Sequence, residues 1–355
     1  MSLKIGILTS GGDCAGLNAV IRAFGKTIFA LDKEVELFGI ENGYAGLASA
    51  DYHKMSAKEF SGILNIGGTI LGTSRTPFKK LLTETEKIDA MKSNYKKMNL
   101  DALVVLGGAG THKTANLLSE KGLNVLGVPK TIDNDIFGTD VTFGFHTAVD
   151  VATECIERLN TTAASHHRVM LVEIMGNKTG WLSLYSGIAG GAEIILLPEI
   201  PYDIEKVIKA ADYSCKNKNK FCMMVVAEGA MSKIEAEMSK KDREKARAEL
   251  GATGNAATQI AKILERELQK EVRLVVPGHI QRGGNPCAYD RVLCTHFGSF
   301  AAQTVYEGKF GNTVAMVDNK LVLNKLGDIA GKLKFVPENH DLIKSSKAIG
   351  VSFGA

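Results

Sequence analysis

The sequence predicts an α/β protein built as two similar three-layer αβα lobes with mostly parallel sheets. Two observations carry that prediction. Short runs of β-branched and other apolar residues alternate along the whole chain with amphipathic stretches, the order that a parallel sheet covered by helices requires. The 355 residues, 45% hydrophobic and 23% charged, also hold enough apolar material for one large or two medium cores, which excludes disorder as the main state.

In chain order, Ile5 to Leu8 reads as the first strand. A glycine-rich turn, Ser10-Gly11-Gly12-Asp13-Cys14-Ala15-Gly16-Leu17-Asn18, then leads into a helical run from Ala19 to Ala30. Val35 to Ile40, Ala102 to Leu106 and Val125 to Val128 are the next strands. The same pattern resumes with Val169 to Ile174, Glu193 to Leu197, Phe221 to Ala227, Arg273 to Val276 and Thr313 to Val317. Ser232 to Leu250 carries charge nearly all round and reads as a solvated helical insertion on the surface.

Composition limits the partners. Basic residues exceed acidic ones by only four, too few for a counterion-driven grip on nucleic acid or an anionic membrane, so any phosphate binding must be local. No run of 18 apolar residues and no signal-peptide succession is present, which suggests a cytoplasmic protein. The six cysteines include no Cys-x-x-Cys pair and read as reduced packing thiols.

Three loops at strand ends carry the chemistry. The Ser10–Asn18 turn lets backbone N–H groups approach an anion where a helix begins. Gly107-Gly108-Ala109-Gly110-Thr111 repeats that arrangement, and two such loops at parallel strand ends point to a polyphosphate or nucleotide. Pro129-Lys130-Thr131-Ile132-Asp133-Asn134-Asp135 adds two carboxylates two residues apart, which extended backbone would turn to the same side. One could take a proton from a hydroxyl while the other orients magnesium or water, the division of labour that phosphoryl transfer needs. Downstream, Arg168, Glu173-Ile174-Met175-Gly176, Glu228, Arg273 and Gly278-His279-Ile280-Gln281-Arg282-Gly283-Gly284 supply guanidinium groups suited to a sugar phosphate.

Taken in order, these motifs resemble the 6-phosphofructokinase family over about residues 4 to 310. The resemblance implies phosphorylation of fructose 6-phosphate at its 1-hydroxyl, with Mg2+, by a cytoplasmic tetramer or dimer whose active sites are shared between subunits. It implies a donor lobe of residues 1–145 plus about 255–310 and a sugar-phosphate lobe of about 146–254 plus 311–355. Asp133 would be the base, assisted by Thr131, Lys130 and Asp135, with Asp135 near the metal. Gly11, Arg75, Gly108, Ala109, Gly110 and Thr111 would hold the donor. Met175, Gly176, Glu228, His279 and Arg282 would hold the sugar phosphate, with Arg168 and Arg273 reaching in from a neighbouring subunit.

The chain departs from the family pattern at three places. Ala109 stands where an aspartate usually assists magnesium, which admits a catalytically weakened sugar-phosphate-binding subunit as a rival reading. Gly110 is the residue of ATP-using members, whereas Lys130 is that of pyrophosphate-using ones; steric admission of a nucleotide favours ATP. Asn177 replaces a common arginine, and Lys26, His53 and Asn160 replace arginines of the effector site of small bacterial members, although Arg22 is kept. Fewer cations there should weaken binding of ADP or phosphoenolpyruvate. An NAD kinase shares the Gly-Gly-x-Gly-Thr loop but leaves Gly278 to Gly284 and Arg168 unexplained.

Overall fold

A computed structural model describes residues 2–218, 220–249 and 255–355. Its strands are β1 (Lys4–Ser10), β2 (Glu36–Ile40), β3 (Tyr52–Lys54), β4 (Ala102–Gly107), β5 (Val125–Pro129), β6 (Val169–Ile174), β7 (Ile194–Leu196), β8 (Cys222–Ala227), β9 (Val272–Val275), β10 (Asn312–Val317) and β11 (Lys320–Lys325). The chain divides into two compact units, Met1–Thr147 with Arg282–Lys334, and Ala148–Gln281 with Phe335–Ala355.

The first unit holds a seven-stranded sheet in the order β11-β10-β5-β4-β1-β2-β3. It is parallel except for its two edges, where β3 and β11 run antiparallel to β2 and β10. Leu8, Leu103, Val105 and Val125 pack with Ile88 and Leu118 on one face. Ile5, Ile7, Val104 and Leu106, which the two-residue strand period turns the other way, are equally buried, so helices cover both faces. The helices Leu17–Leu31 and Ala288–Tyr306 approach closely at Gly298, where a Cβ would stand 2.5 Å from the Val20 carbonyl oxygen.

The second unit holds a four-stranded, all-parallel sheet, β7-β8-β6-β9. Its core joins Val169, Leu171, Met224 and Val226 to Ile260 and Leu264 of the helix Ala256–Leu268.

Both units are α/β, as the alternation predicts, but two segments change sides relative to the expected lobes. Residues 255–281 belong to the second unit because β9 hydrogen-bonds to β6, and residues 311–334 belong to the first because β10 extends β5. The charged insertion also differs from its expectation. It forms two helices, Lys233–Glu237 and Lys240–Glu249, and Leu250 lies outside the described residues. Arg247 and Glu235 within it are buried and paired at 2.7 Å, and Arg247 also donates to the Ala230 carbonyl, so the insertion is anchored and not merely solvated.

Candidate active site

In the first unit the carboxyl ends of β1, β4 and β5 bring the three predicted loops together. Gly11 takes a left-handed φ of 90°, its N–H donates to the Ser74 carbonyl, and its own carbonyl accepts from Thr73. These bonds tie the loop to the segment that carries Arg75. Three cations from distant parts of the chain then meet at Gly12 and Asp13. Lys130 donates through Nζ to the Gly12 carbonyl, and Arg282 donates through Nη1 to the Asp13 carbonyl at 3.1 Å. A Cβ on Gly12 would stand 2.8 Å from Arg282 Nη1 and 3.3 Å from Arg75 Nη2, so glycine leaves room for both guanidinium groups. Burial pulls the Lys130 ammonium below its ordinary pKa; the Arg282 charge adds to that, while Asp133 and Asp13 oppose it.

The helix Ala109–Glu120 starts at the second loop. Thr111 is buried and donates from Oγ1 to the Ser10 carbonyl at 3.3 Å, which links the two glycine-rich loops. Gly107 must be glycine, since a Cβ there would lie 2.2 Å from the Thr111 side chain, whereas a Cβ on Gly110 would meet nothing within 4 Å. Gly108 lies against the Lys130 carbonyl, and Ala109 offers no ligand atom at the head of the helix.

Asp133 and Asp135 follow β5, but not in extended backbone. Asn134 between them is left-handed, with φ at 51°, and accepts from the Thr142 N–H, so a tight turn and not a two-residue alternation sets the two carboxylates. Thr131 shapes the same turn by accepting from the Asp133 N–H at 3.0 Å. Burial, and next the charge of Asp133, raise Asp135 to about 7.

That crowding is a fit test for magnesium. A buried carboxylate held against a second one gains from a divalent cation. Among the described residues no group of three or more His, Cys, Asp or Glu side chains is arranged to hold a metal. A donor's phosphates and water would therefore have to complete the shell, as they commonly do for magnesium.

The first unit also has a cavity of about 360 Å³ lined by Tyr44, Ala48, Thr76, Lys87 and Met91. It opens next to Arg75 in sequence, and the Tyr44 hydroxyl donates to the Thr111 carbonyl at 2.9 Å. The volume falls within the range of small-ligand pockets, roughly 300–1,000 Å³. Sequence reasoning does not find these residues: they come from two helices and the loop at Thr76 and share no motif.

In the second unit, the loop after β6 presents three successive backbone N–H groups to two side chains. Met175 N–H donates to Gln281 Oε1 at 3.2 Å, while Gly176 and Asn177 N–H donate to Glu228 Oε1 at 3.1 and 2.5 Å. Arg168 and Arg273, which flank β6 and lie on β9, both reach Glu271: Arg168 Nε at 2.5 Å, and Arg273 through Nη2. The hydrogen bond from Arg168, with the charge of Arg273 adding to it, holds the Glu271 carboxylate below its ordinary range. His279 is exposed on the turn Gly278–Arg282.

Two of the positions expected to differ from the family's effector pattern make internal contacts. His53 is held between Glu41 at 2.9 Å and Glu59 at 3.2 Å, and Asn160 donates to the Gly190 carbonyl.

Comparison with known proteins identifies the family. A family profile described as Phosphofructokinase matches residues 4–305. An ATP-dependent 6-phosphofructokinase of Spirochaeta thermophila is 50% identical over 356 residues, covering 98% of this chain and 97% of that protein. One from Propionibacterium freudenreichii is 44% identical over 373 residues and covers 100% of both. The crystal structure of a pyrophosphate-dependent phosphofructokinase from Marinobacter aquaeolei shares the fold, with a TM-score of 0.81 at 20% identity over 99% of this chain and 92% of that one. A matching profile over most of the chain and relatives of equal length leave one conclusion: this chain belongs to the phosphofructokinase family.

Proposed function

We propose that the protein transfers the terminal phosphoryl group of ATP to the 1-hydroxyl of fructose 6-phosphate, giving fructose 1,6-bisphosphate in the cytoplasm as a step of glycolysis. The observation that carries the reading is the meeting of Arg75, Lys130 and Arg282 at the Gly12–Asp13 backbone, in the unit that also holds Asp133 and Asp135. In-line transfer leaves the protein mainly to position groups and neutralise charge, and this cluster does both.

Asp133 accepts the proton of the 1-hydroxyl as the oxygen attacks phosphorus, and Thr131 orients it through the turn they share. Arg75 and Lys130 face the transferred group, while Gly11, Gly108, Gly110 and Thr111 form the donor's bed. Met175, Gly176, Glu228, His279 and Arg282 hold the sugar phosphate, with Arg168 and Arg273 acting across a homo-oligomer, a tetramer or dimer. Asp135 would hold magnesium, which when bound supplies charge neutralisation on the donor's phosphates.

ATP is favoured over pyrophosphate by three supports: open space at Gly110, the cavity beside Tyr44 and Thr76, and the ATP-dependent relatives. Lys130 is the observation on the other side. Purified protein with magnesium, fructose 6-phosphate and either donor, assayed for fructose 1,6-bisphosphate, decides the matter. Product with ATP alone is expected. Product only with pyrophosphate would reassign the donor, and no product with either would make this a silent sugar-phosphate-binding subunit, as Ala109 allows.

A further inference from the structure

Gln281 sits in the middle of a motif whose neighbours, His279 and Arg282, attract attention by their charge, yet it is only 1% exposed. Both ends of its amide are used inside the second unit. Oε1 accepts from the Met175 N–H at 3.2 Å, and Nε2 donates to the Gly278 carbonyl at 3.1 Å. The amide orientation is unambiguous, because an N–H can only donate and a carbonyl can only accept.

One buried side chain therefore joins the Met175–Asn177 loop to the turn that begins at Gly278. The other two N–H groups of that loop are held by Glu228 and the Gly176 carbonyl accepts from Thr179, so Gln281 holds the third N–H and is the side chain that links the loop to the Gly278 turn. No isosteric residue replaces it: leucine removes both bonds, and an ionised glutamate would set a negative oxygen against the Gly278 carbonyl.

We infer that Gln281 is a positioning residue for sugar-phosphate recognition, fixing the Met175–Gly176 loop against the Gly278–Arg282 turn. This rests on the functional reading above, in which those two segments hold fructose 6-phosphate. Gln281 touches no substrate; its effect passes through the backbone it holds.

The test combines calorimetric binding of fructose 6-phosphate without donor and steady-state kinetics for the wild type, Gln281→Leu and Gln281→Glu. In Gln281→Leu the Kd and KM for fructose 6-phosphate rise about tenfold or more, the scale of two buried groups losing their partners, with the KM for ATP unchanged. Gln281→Glu is as weak as Gln281→Leu at about pH 8 and recovers relative to wild type at about pH 6, where a protonated carboxyl can again both accept and donate.

Wild-type affinity in Gln281→Leu, or a Gln281→Glu to wild-type ratio that does not change with pH, would overturn the inference alone. A wild type that binds the sugar phosphate without turnover would overturn the proposed reaction alone, and one that does not bind it overturns both. Gln281→Glu serves as the deciding variant if Gln281→Leu does not fold.

Discussion

Asp133 draws its position from a single left-handed residue, Asn134, whose side-chain oxygen is in turn held by the Thr142 N–H. Asp133→Asn keeps the shape and removes the base, so kcat should fall by about 10² or more while fructose 6-phosphate still binds. Steady-state kinetics beside calorimetry would show near-normal turnover if the assignment were wrong. Ala109→Asp restores a carboxylate at the start of the Ala109–Glu120 helix without touching Lys130 or Gly110. A magnesium titration of initial rate should then saturate at lower metal; an unchanged midpoint would mean that Asp135 and water suffice. At this scale the sequence marks the residues proposed for the site but not how they are held. Asp133, Lys130 and Arg282 announce themselves by motif, whereas extended backbone is the wrong premise for Asp133 and Asp135: the Asp-Asn-Asp run also admits a turn, and Asn134, a residue type that tolerates the left-handed region, takes it. Gln281 is hidden for the opposite reason: its burial depends on contacts more than a hundred residues away.

The helix Ala109–Glu120 is docked through His112, which is 2% exposed. Its Nδ1 lies 2.9 Å from the Gly108 carbonyl and must carry the proton, leaving Nε2 to accept from Thr313 Oγ1 on β10 at 2.9 Å. Burial lowers its pKa from 6.5 to about 4, so between those values the unfolded chain binds more protons than the folded one. The stability that His112 contributes is therefore complete above about pH 6.5 and is lost as pH falls through about 4, up to about 3 kcal/mol in all. Urea midpoints measured across that window should fall in the wild type and fall less in His112→Gln; parallel curves would refute this. The insertion offers a second element-scale test. Glu235→Ala removes a carboxylate paired at 2.7 Å with the buried Arg247 guanidinium and should cost about 3–5 kcal/mol of unfolding free energy. A loss below 1 kcal/mol, about the worth of an exposed pair, would mean that the pair is solvated after all. Elements were the most legible level of this chain, since each predicted strand falls within about a residue or two of an observed one. β3 and β11 escape because Tyr52–Lys54 is too short for a period, and Lys320–Lys325 begins and ends on lysine at an exposed edge.

At the scale of the whole molecule, the chain passes between its two units after Thr147, Gln281 and Lys334. Sequence composition cannot place those crossings, because strand pairing and not local pattern assigns β9 and β10 to their sheets. The proposed sharing of sites between subunits has a direct test. Asp133→Asn and Arg168→Ala homo-oligomers should each be nearly inactive, and hybrids formed by mixing and reassociating them should regain a measurable fraction of wild-type turnover. Absence of recovery in verified hybrids would place Arg168 in its own subunit's chemistry or outside it. The late position of β10 also bears on how the chain is made. During synthesis β5 emerges nearly two hundred residues before the strand that covers its edge, so the nascent first unit presents an unsatisfied ladder of apolar, strand-forming backbone for most of translation. Yield in the cell should therefore depend on holdase chaperones during elongation, a burden set by where one strand falls in the gene and not by the stability of the finished enzyme.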